Sequence, residues 1–413
     1  MRFLYALIVD LTWYILPIIG LFSPQIKAFI TERKTTFVSL DDWEKRQSKK
    51  PVLWVHCASL GEYEMVVPIL SSSELQEKYE VVVSFFSSSG YVHAKTDGIA
   101  NAVFYLPFDR KAVMRKLVAQ VNPEIFILVK YDFWLNLMSA LNQHGCKTIL
   151  VNGLFREKAF MASSIAGPWR NQLKRFTRLF VQNETSHDFL KQYTFDNVEL
   201  SNDLRYDRVV QLKETNQSVP KIAQFVDDKP MLILGSSWPE EEYIALQYVL
   251  AFNKTIKLVV APHDVSPANV KKIQHDFRKL QPKLFTDSGD LSESRILILN
   301  TIGHLSNAYQ YATIALVGGA FGKGLHNVLE AAVQGLPIFT GPNIDQYPEA
   351  VALEKLGVLH SIDKDPRHFI ELMANYMKDA DQSAKTKEKL ADWFKNNTGQ
   401  AHRIKQFILS DVD

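Results

Sequence analysis

One stretch of the chain has residue types suited to holding a phosphate group: LVGGAFGKGLHNVLEAAVQGLPIFTGP, from Leu316 to Pro342. Its predicted turn contains four glycines: Gly318, Gly319, Gly322 and Gly324. Glycine permits the positive φ and the close backbone approach that a phosphate-cradling turn needs. A helix predicted to open near His326 would add unpaired N–H groups and the positive end of its dipole. The stretch therefore predicts a site for a nucleotide phosphate.

Two polar side chains follow these glycines on the predicted helix. Glu330 lies four residues after His326, one helical turn on, so both can face the same ligand. A carboxylate at that place is suited to accept hydrogen bonds from two ribose hydroxyls. The glycines do not fit the dinucleotide fingerprint GxGxxG, so NAD binding is not favoured. The alternative is an ordinary strand–turn–helix of a parallel sheet, between strands predicted at Thr313 to Val317 and Leu336 to Thr340.

A second polar group follows the first predicted strand, in the sequence HCASLGEYE. It comprises His56, Ser59, Gly61 and Glu62. Ligands bind at the carboxyl edge of parallel sheets. Gly61 opens a predicted helix at this edge, and the helix dipole stabilises Glu62 as an anion. Glu62 is therefore a candidate catalytic carboxylate, with an ordinary helix-start carboxylate as the alternative.

A third group follows the fourth predicted strand, in the sequence VKYDFWLN. It places Lys130, Asp132 and Trp134 at the same edge of the same sheet. Two carboxylates that arrive from different strands suggest acid–base catalysis, or one base with a positioning partner. Asp132 has an alternative role as the cap of a helix from Phe133 onward.

Other polar residues are candidates for binding rather than for proton transfer. Cations alternate with aromatic residues after the fifth predicted strand: Arg156, Lys158, Arg170, Lys174 and Arg175. This mixture is usually a solvated helix face, but beside a membrane anchor it also suits a phosphorylated amphiphile. In the second half of the chain, LGSSWPEEE and VVAPHD lie at the ends of two predicted strands. They place Ser236, Ser237 and His263 where hydrogen-bond donors to a phosphate are needed.

These candidates require an α/β architecture that brings strand ends together. Short apolar runs alternate with helical segments, which is the pattern of parallel sheets. In the first half, strands are predicted at Val52 to Cys57, Val81 to Phe86, Val103 to Leu106, Ile125 to Val129, Thr148 to Val151 and Leu179 to Val181. In the second half, they are predicted at Met231 to Leu234, Ile256 to Ala261, Arg295 to Leu299, Thr313 to Val317 and Leu336 to Thr340. We expect two Rossmann-like domains facing a cleft.

The predicted domains are a membrane anchor (1–30), an N-terminal Rossmann-like domain (31–215), a C-terminal Rossmann-like domain (216–385) and a C-terminal helix packing back across them (386–413). Polar linkers are predicted at about residues 31 to 50 and near Lys213 to Pro220. One amphipathic helix is predicted from Lys387 to Leu409.

The anchor is predicted from an almost wholly apolar run between Phe3 and Phe22. Its length of about 20 residues matches a bilayer core, although Asp10 and Pro17 interrupt it. A cleavable signal is the competing interpretation, but no small-x-small cleavage site follows Gly20. Whether the helix spans the bilayer or lies in one leaflet is left open. Cations follow the run, so the body of the protein is expected to face the cytoplasm.

Composition excludes several classes of protein. The chain has 413 residues, 46% of them hydrophobic and 22% charged, which are values of a globular protein. The net charge of +2 gives no indication of nucleic-acid binding. Cys57 and Cys146 lack metal-ligand spacing and are expected to be reduced, buried thiols.

Taken together, these motifs resemble one family, the lipid A Kdo transferases (3-deoxy-D-manno-octulosonic acid transferases). HCASLGE resembles the family's strand-end motif that closes with Ser-x-Gly-Glu, and VQNETS resembles its Gln-Asn-Glu segment. LVGGAFGKGLHNVLEAA resembles its Gly-Gly followed by His-Asn-x-Leu-Glu. The resemblance extends from the N-terminal anchor to about Ala350.

The resemblance implies a membrane-associated, inverting glycosyltransferase of the GT-B fold, at the cytoplasmic face of the inner membrane. It implies a CMP-Kdo donor, a tetra-acylated lipid A precursor (lipid IVA) as acceptor, and no metal or other cofactor. Glu62 would be the base that deprotonates a sugar hydroxyl of the acceptor as it attacks the anomeric carbon of Kdo. Asp132 would be the second catalytic carboxylate, although the family usually has Glu there.

The resemblance also implies that the domain of residues 31–215 binds the acceptor and that of residues 216–385 binds CMP-Kdo, and it extends the predicted binding residues. Those expected at the donor are Ser236, Ser237, Pro262, His263, Gly318, Gly319, Gly322, His326, Asn327 and Glu330. Those expected at the acceptor are Ser59, Gly61, Arg156, Lys174 and Arg175. His263 stands where many members have Arg after Pro. Two alternatives stay open: a transferase or epimerase that uses a UDP-sugar, and a membrane-tethered protein that binds without turnover.

Overall fold

A computed structural model describes residues 1–156, 160–215, 217–251, 256–378 and 380–410. Lys158 and Asn216, which fall in predicted segments, lie outside these ranges. The chain forms two compact units. Unit 1 comprises Met1–Arg208 and the residues from Thr398 onward, and unit 2 comprises Val209–Asn397.

Unit 1 is built on a parallel sheet of seven strands in the order β3-β2-β1-β4-β5-β6-β7. The strands are β1 (Val52–Cys57), β2 (Glu80–Phe85), β3 (Ala102–Tyr105), β4 (Pro123–Val129), β5 (Lys147–Gly153), β6 (Arg178–Val181) and β7 (Val198–Leu200). Every residue of β1 and β2 is buried, because helices cover both faces of the sheet. The chain runs outward from β1 to β3 and then returns to β4 beside β1, so the carboxyl ends of β1 and β4 form a topological switch point.

Unit 2 is also built on a parallel sheet of seven strands, in the order β10-β11-β9-β8-β12-β13-β14, with β11 inserted between β9 and the edge strand β10. The strands are β8 (Met231–Ser237), β9 (Lys257–Pro262), β10 (Lys283–Leu284), β11 (Ile296–Ile298), β12 (Ile314–Val317), β13 (Ile338–Thr340) and β14 (Leu359–Ser361). Its switch point lies between the carboxyl ends of β8 and β12. The prediction of two α/β domains, each with its own parallel sheet, is thus confirmed.

Twenty α-helices surround these sheets in the part of the chain that the structure describes. The first eleven are α1 (Arg2–Gly20), α2 (Pro24–Lys34), α3 (Thr36–Glu44), α4 (Leu60–Leu70), α5 (Ser73–Lys78), α6 (Ser88–Ala94), α7 (Lys111–Val121), α8 (Leu135–His144), α9 (Gly167–Leu173), α10 (Glu184–Gln192) and α11 (Arg205–Glu214). The remaining nine are α12 (Pro220–Val226), α13 (Pro239–Ala251), α14 (Pro267–Asp276), α15 (Leu305–Ala308), α16 (Leu329–Val333), α17 (Pro348–Lys355), α18 (Pro366–Lys378), α19 (Ala380–Asn397) and α20 (Gln400–Ser410).

The polar linker predicted at residues 31 to 50 is wrong over most of its length, because α2 and α3 occupy it up to Glu44. These helices bury Leu40 and Trp43 against the first sheet. Arg33 is also buried, with its guanidinium carbon 3.3 Å from the ring centroid of Phe29. Such packing of a cation on an aromatic face is invisible in a hydropathy pattern.

Two further sequence expectations need correction. The linker near Lys213 to Pro220 is helical at its start, since α11 continues to Glu214. The single helix expected from Lys387 to Leu409 is divided between α19 and α20. Gly399, with a φ of 96°, lies in the break and permits the left-handed turn.

Candidate active site

Glu62 lies in the first turn of α4, immediately beyond the carboxyl end of β1. Its side chain is nearly buried, with 6% exposure, and its Oε2 accepts a hydrogen bond of 2.5 Å from the backbone N–H of Ala58. Burial raises the pKa of Glu62, although the hydrogen bond from Ala58 and the charge of Lys130 oppose the change. Ser59 is the N-cap of α4, and Gly61 precedes Glu62 in the same turn.

His56 on β1 joins the end of β4 to the end of β2. Its Nε2 lies 2.9 Å from Oδ2 of Asp132, and its Nδ1 lies 2.9 Å from Oγ of Ser84. Oγ of Ser84 also accepts a hydrogen bond of 2.8 Å from the indole N–H of Trp54. Nδ1 also lies 3.1 Å from the carbonyl oxygen of Ser84. An ionised carboxylate only accepts, so Nε2–H donates to Asp132, and the contacts on both ring nitrogens hold the imidazole in place.

The environment of Asp132 favours its charged form. Burial opposes ionisation, but the hydrogen bond and charge of His56 outweigh it, and the pKa of Asp132 is lowered. The charge of Asp132 in turn contributes to the raised pKa of Glu62. Two carboxylates whose pKa values move in opposite directions at one sheet edge form an arrangement typical of acid–base sites.

The alternative role of Asp132 as a helix cap is wrong. Helix α8 begins at Leu135 rather than at Phe133. Its first backbone N–H groups, of Asn136 and Leu137, donate to the carboxylate of Asp109, each at 2.9 Å. Asp109 is almost fully buried, and burial raises its pKa to about 7. Sequence reasoning missed this residue, since it precedes α7 and lies more than 20 residues from the helix that it caps.

The cations after β5 have different surroundings. Arg156, Lys174 and Arg175 are exposed, and Nζ of Lys174 lies 2.8 Å from Oγ1 of Thr194. Arg170 instead donates to backbone carbonyl oxygens, those of Met161 and Ser163, and supports the local loop. The aromatic residues between these cations are mostly packed inward, in the manner of Phe155 and Phe176.

At the edge of the second sheet, the glycine-rich turn packs tightly on the end of β8. A Cβ atom on Gly318 would lie 2.3 Å from the backbone oxygen of Ser236. Gly319 has a φ of 98° and Gly322 a φ of 138°, values that favour glycine. The N–H of Gly319 donates to Oε1 of Glu241 at 2.9 Å, so a side chain from α13 holds the turn in place.

The helix after the turn begins later than predicted, at Leu329 rather than near His326. The cause is local: Oδ1 of Asn327 accepts a hydrogen bond of 3.1 Å from the N–H of Leu329, as an N-capping side chain does. Nδ2 of Asn327 also donates to Oε1 of Glu330 at 3.0 Å. The expected pairing of Glu330 with His326 on one helical face is therefore replaced by a pairing with Asn327.

Three rings stack beside this turn. The ring centroids of Trp238 and His263 are 4.7 Å apart, and those of His263 and His326 are 4.6 Å apart. The indole N–H of Trp238 lies 3.1 Å from Nε2 of His326. Because an indole only donates, Nε2 accepts, and the ring proton of His326 is on Nδ1. Burial, with the charge of His263, lowers the pKa of His326. Sequence reasoning missed Trp238.

The remaining predicted donor residues lie at the ends of β8 and β9. Ser236 has a φ of 51°, an uncommon conformation for a residue other than glycine. The Ser237 hydroxyl is buried and donates to Oε1 of Glu242 at 3.0 Å. Pro262 ends β9, and the N–H of His263 donates to the carbonyl oxygen of Ser237 at 3.1 Å. Burial raises the pKa of both Glu241 and Glu242.

Residues 31–208 match the protein-family model of the 3-deoxy-D-manno-octulosonic-acid transferases (kdotransferases). Similar proteins include the 3-deoxy-D-manno-octulosonic acid transferase of Chlamydia muridarum, 26% identical over 359 residues, or 81% of each chain. The enzyme of the same name from Aquifex aeolicus is 24% identical over 306 residues, covering 72% of this chain and 78% of that one.

Solved structures with a similar fold include a glycosyltransferase from Rickettsia africae, with a TM-score of 0.56, 9% identity and coverage of 88% of this chain and 99% of that chain. Another is the UDP-GlcNAc 2-epimerase of Neisseria meningitidis, with a TM-score of 0.60, 13% identity and coverage of 87% and 98%. At these identities the likeness concerns the fold alone, which is the GT-B arrangement of two Rossmann-like units. Over about three quarters of its length the chain is thus similar to 3-deoxy-D-manno-octulosonic acid transferases, its residues 31–208 match that family's model, and its fold is that of the GT-B glycosyltransferases.

Proposed function

We propose that the chain transfers Kdo from CMP-Kdo to a hydroxyl of the tetra-acylated lipid A precursor, at the cytoplasmic face of the inner membrane. The observation that carries this proposal is the pair of carboxylates at the first switch point, with the pKa of Glu62 raised and that of Asp132 lowered. A general base works best when its pKa approaches the operating pH. The similarity to Kdo transferases, over residues 31–208 in the family model and about three quarters of the chain in the relatives, supports Kdo as the transferred sugar.

In the proposed step, Glu62 takes the proton of the acceptor hydroxyl while the hydroxyl oxygen forms a bond to the anomeric carbon of Kdo. The bond between that carbon and the phosphate oxygen of CMP breaks, and CMP leaves with the electron pair. Asp132 is kept ionised by its hydrogen bond from His56. Its negative charge makes Glu62 a stronger base, because protonation of Glu62 removes the repulsion between the two carboxylates.

The proposed donor contacts come from unit 2. CMP leaves as a monophosphate, which needs less charge compensation than a diphosphate. Gly318, Gly319, Gly322 and Ser236 would lie at the phosphate, with Pro262, His263 and His326 beside it. Asn327 and Glu330 already form a hydrogen-bonded pair and would contact the ribose hydroxyls. The Ser237 hydroxyl already donates a hydrogen bond to Glu242, so Ser237 would contact the donor through its backbone.

The proposed acceptor contacts come from unit 1. Ser59 and Gly61 flank the base, and the exposed cations Arg156, Lys174 and Arg175 would attract the phosphates of the lipid. Trp169, on the helix before Lys174, packs against Tyr5 of α1 with ring centroids 5.2 Å apart. Helix α9, which ends next to Lys174, is therefore in contact with the apolar N-terminal helix.

The test is the product formed by the purified full-length chain with CMP-Kdo and lipid IVA in mixed micelles. We expect the lipid to gain the mass of one or more Kdo residues, as measured by mass spectrometry, with release of CMP. Parallel reactions with UDP-sugars test the alternative donor class. Consumption of a UDP-sugar with no product from CMP-Kdo would refute the proposal.

A further inference from the structure

Helix α1 is docked lengthwise on unit 1. The Tyr5 hydroxyl donates to Oδ2 of Asp109 at 2.7 Å, and one turn later Val9 is buried. Asp10 pairs with Arg110, with Oδ1 and Nε 2.7 Å apart. The ring of Trp13 stacks on that of Phe108, with centroids 5.7 Å apart. These contacts extend over two and a half turns, and a fourth point is given by Gly20, which is buried against α2.

The opposite face of α1 is apolar and exposed. Residues at 100° intervals place positions 4, 11 and 18 on one line and positions 5, 9, 13 and 20 on the other side. The exposed apolar residues are Phe3, Leu4, Leu7, Ile8, Leu11, Ile15, Ile18 and Ile19, followed by Leu21 and Phe22 beyond the helix. We call this set the outer face. By length and composition alone, α1 would also qualify as a membrane span.

A transbilayer orientation conflicts with the docked side of the helix. If α1 crossed the hydrocarbon, its partners Phe108, Asp109 and Arg110 would lie at the same depth. These residues form an irregular segment before α7. Irregular backbone exposed to lipid is not tolerated within a bilayer, and charged groups there are costly. The helix would have to leave unit 1 to span, which would abandon the buried carboxylate of Asp109.

We infer that α1 lies in the plane of the membrane surface, with its outer face among the lipid chains and its inner face still docked on unit 1. This inference rests on the proposed membrane attachment and specifies its geometry. The occupant we assign is anionic phospholipid, because exposed cations stand at both ends of the helix, Arg2 on α1 and Lys27 on α2 beside Gly20. A helix of this kind is buried about 5–10 Å into the interface.

The test uses the full chain with a single NBD fluorophore placed by cysteine substitution at Leu4, Leu11 or Ile18. The native Cys57 and Cys146 are buried, so labelling of the folded protein is directed to the new position. The protein is bound to vesicles of phosphatidylethanolamine and phosphatidylglycerol, with lipids brominated at several acyl positions. The depth of each fluorophore follows from its quenching profile.

An in-plane helix places all three positions at the same shallow depth. A spanning helix places Leu11 about 10 Å deeper than Leu4 and Ile18, since seven residues rise by that distance. The second pattern would overturn the inference while leaving membrane attachment intact. Absence of vesicle binding and of quenching at every position would refute both, and self-association of the unbound protein would then identify a second copy as the occupant.

A matched pair of substitutions provides a second measurement. The double variant L7D/L11D places two charges on the outer face without touching the docked side, and we expect its vesicle affinity to fall at least 100-fold. Val38→Asp changes an exposed apolar residue on α3, and we expect near-normal binding. Circular dichroism checks that both variants are folded. Equal binding by the double variant and the wild type would contradict the in-plane helix.

Discussion

At the carboxyl edge of the first sheet, the carboxylates of Glu62 and Asp132 stand at the switch point with pKa values displaced in opposite directions. At the same edge of the second sheet, the carboxylates of Glu241 and Glu242 turn back into their own unit. There they accept hydrogen bonds from Gly319 and Ser237 and hold the glycine-rich turn. Both edges lie at the switch point of a seven-stranded parallel sheet, but they differ in what their acidic groups do.

Under the proposed function, the two switch points serve different tasks. An edge that moves a proton needs a carboxylate whose protonation state can change, so partial burial and a charged neighbour are useful there. An edge that holds a ligand needs a fixed backbone. Carboxylates that accept hydrogen bonds from within their own unit help to fix it. In this protein, close packing at Gly318 and positive φ at Gly319 make the second edge rigid.

The largest effect should come from removing the carboxylate of Glu62. We expect Glu62→Gln and Glu62→Ala to lower kcat by on the order of 10²-fold or more, the usual contribution of a general base. The Gln variant keeps an oxygen to accept the Ala58 N–H and should therefore be the more stable of the two in thermal unfolding. Near-normal turnover in the Gln variant would remove Glu62 from this role and with it the contrast between the edges.

A smaller effect is expected at the second edge from Gly318→Ala. The new methyl group would meet the backbone oxygen of Ser236 at 2.3 Å, so the turn must shift. Such overpacking costs roughly 1–3 kcal/mol of stability, and we expect donor affinity to fall about tenfold, the equivalent of roughly 1.4 kcal/mol. Urea unfolding and CMP titration measure the two effects.

Gly167→Ala is the matched control, because no heavy atom of the described residues lies within 4 Å of its added Cβ atom. It should change neither the free energy of unfolding nor CMP binding. If Gly318→Ala behaved in the same way, the second edge would not be rigid in the sense argued above.

An effect of about the same size as that of Gly318→Ala is expected from His56→Leu. Asp132 has a pKa below its ordinary value of 3.8 in the fold, so its ionisation adds stability above that pH, and this stability is lost as the pH falls through the lower folded pKa. Without His56, burial dominates and the pKa of Asp132 rises. We expect kcat/KM at neutral pH to fall by roughly tenfold, the equivalent of one lost hydrogen bond to a charge, and its acid limb to move to higher pH.

His56→Gln is the conservative control, because its amide N–H can still donate to Asp132. It should restore most of the activity and return the acid limb towards that of the wild type. An acid limb that stays in place in His56→Leu would show that His56 only packs the sheet.

Buried strands were predictable from the sequence because a parallel strand covered on both faces is a continuous apolar run. β1 was predicted with its observed limits, and β4 differs only by two residues at its start. The short strands β7, β10 and β14 at the sheet edges were missed, because they are only partly buried and lack the continuous apolar run of equally short buried strands such as β11. The hydrogen bonds that link Trp54, Ser84, His56 and Asp132 were also missed, because these residues lie far apart in the sequence and meet only in the folded sheet.

The carboxylate of Asp109 receives hydrogen bonds from Tyr5 in α1 and from the first turn of α8. Deleting the N-terminal helix to obtain a water-soluble fragment would thus remove a segment that packs against the rest of unit 1. The buried carboxylate of Asp109 would lose the hydrogen bond from Tyr5. The rings of Phe108 and Trp169, which α1 covers, would be exposed. Solubilisation by detergent, which keeps the helix, preserves the segment that leads from Asp132 into α8.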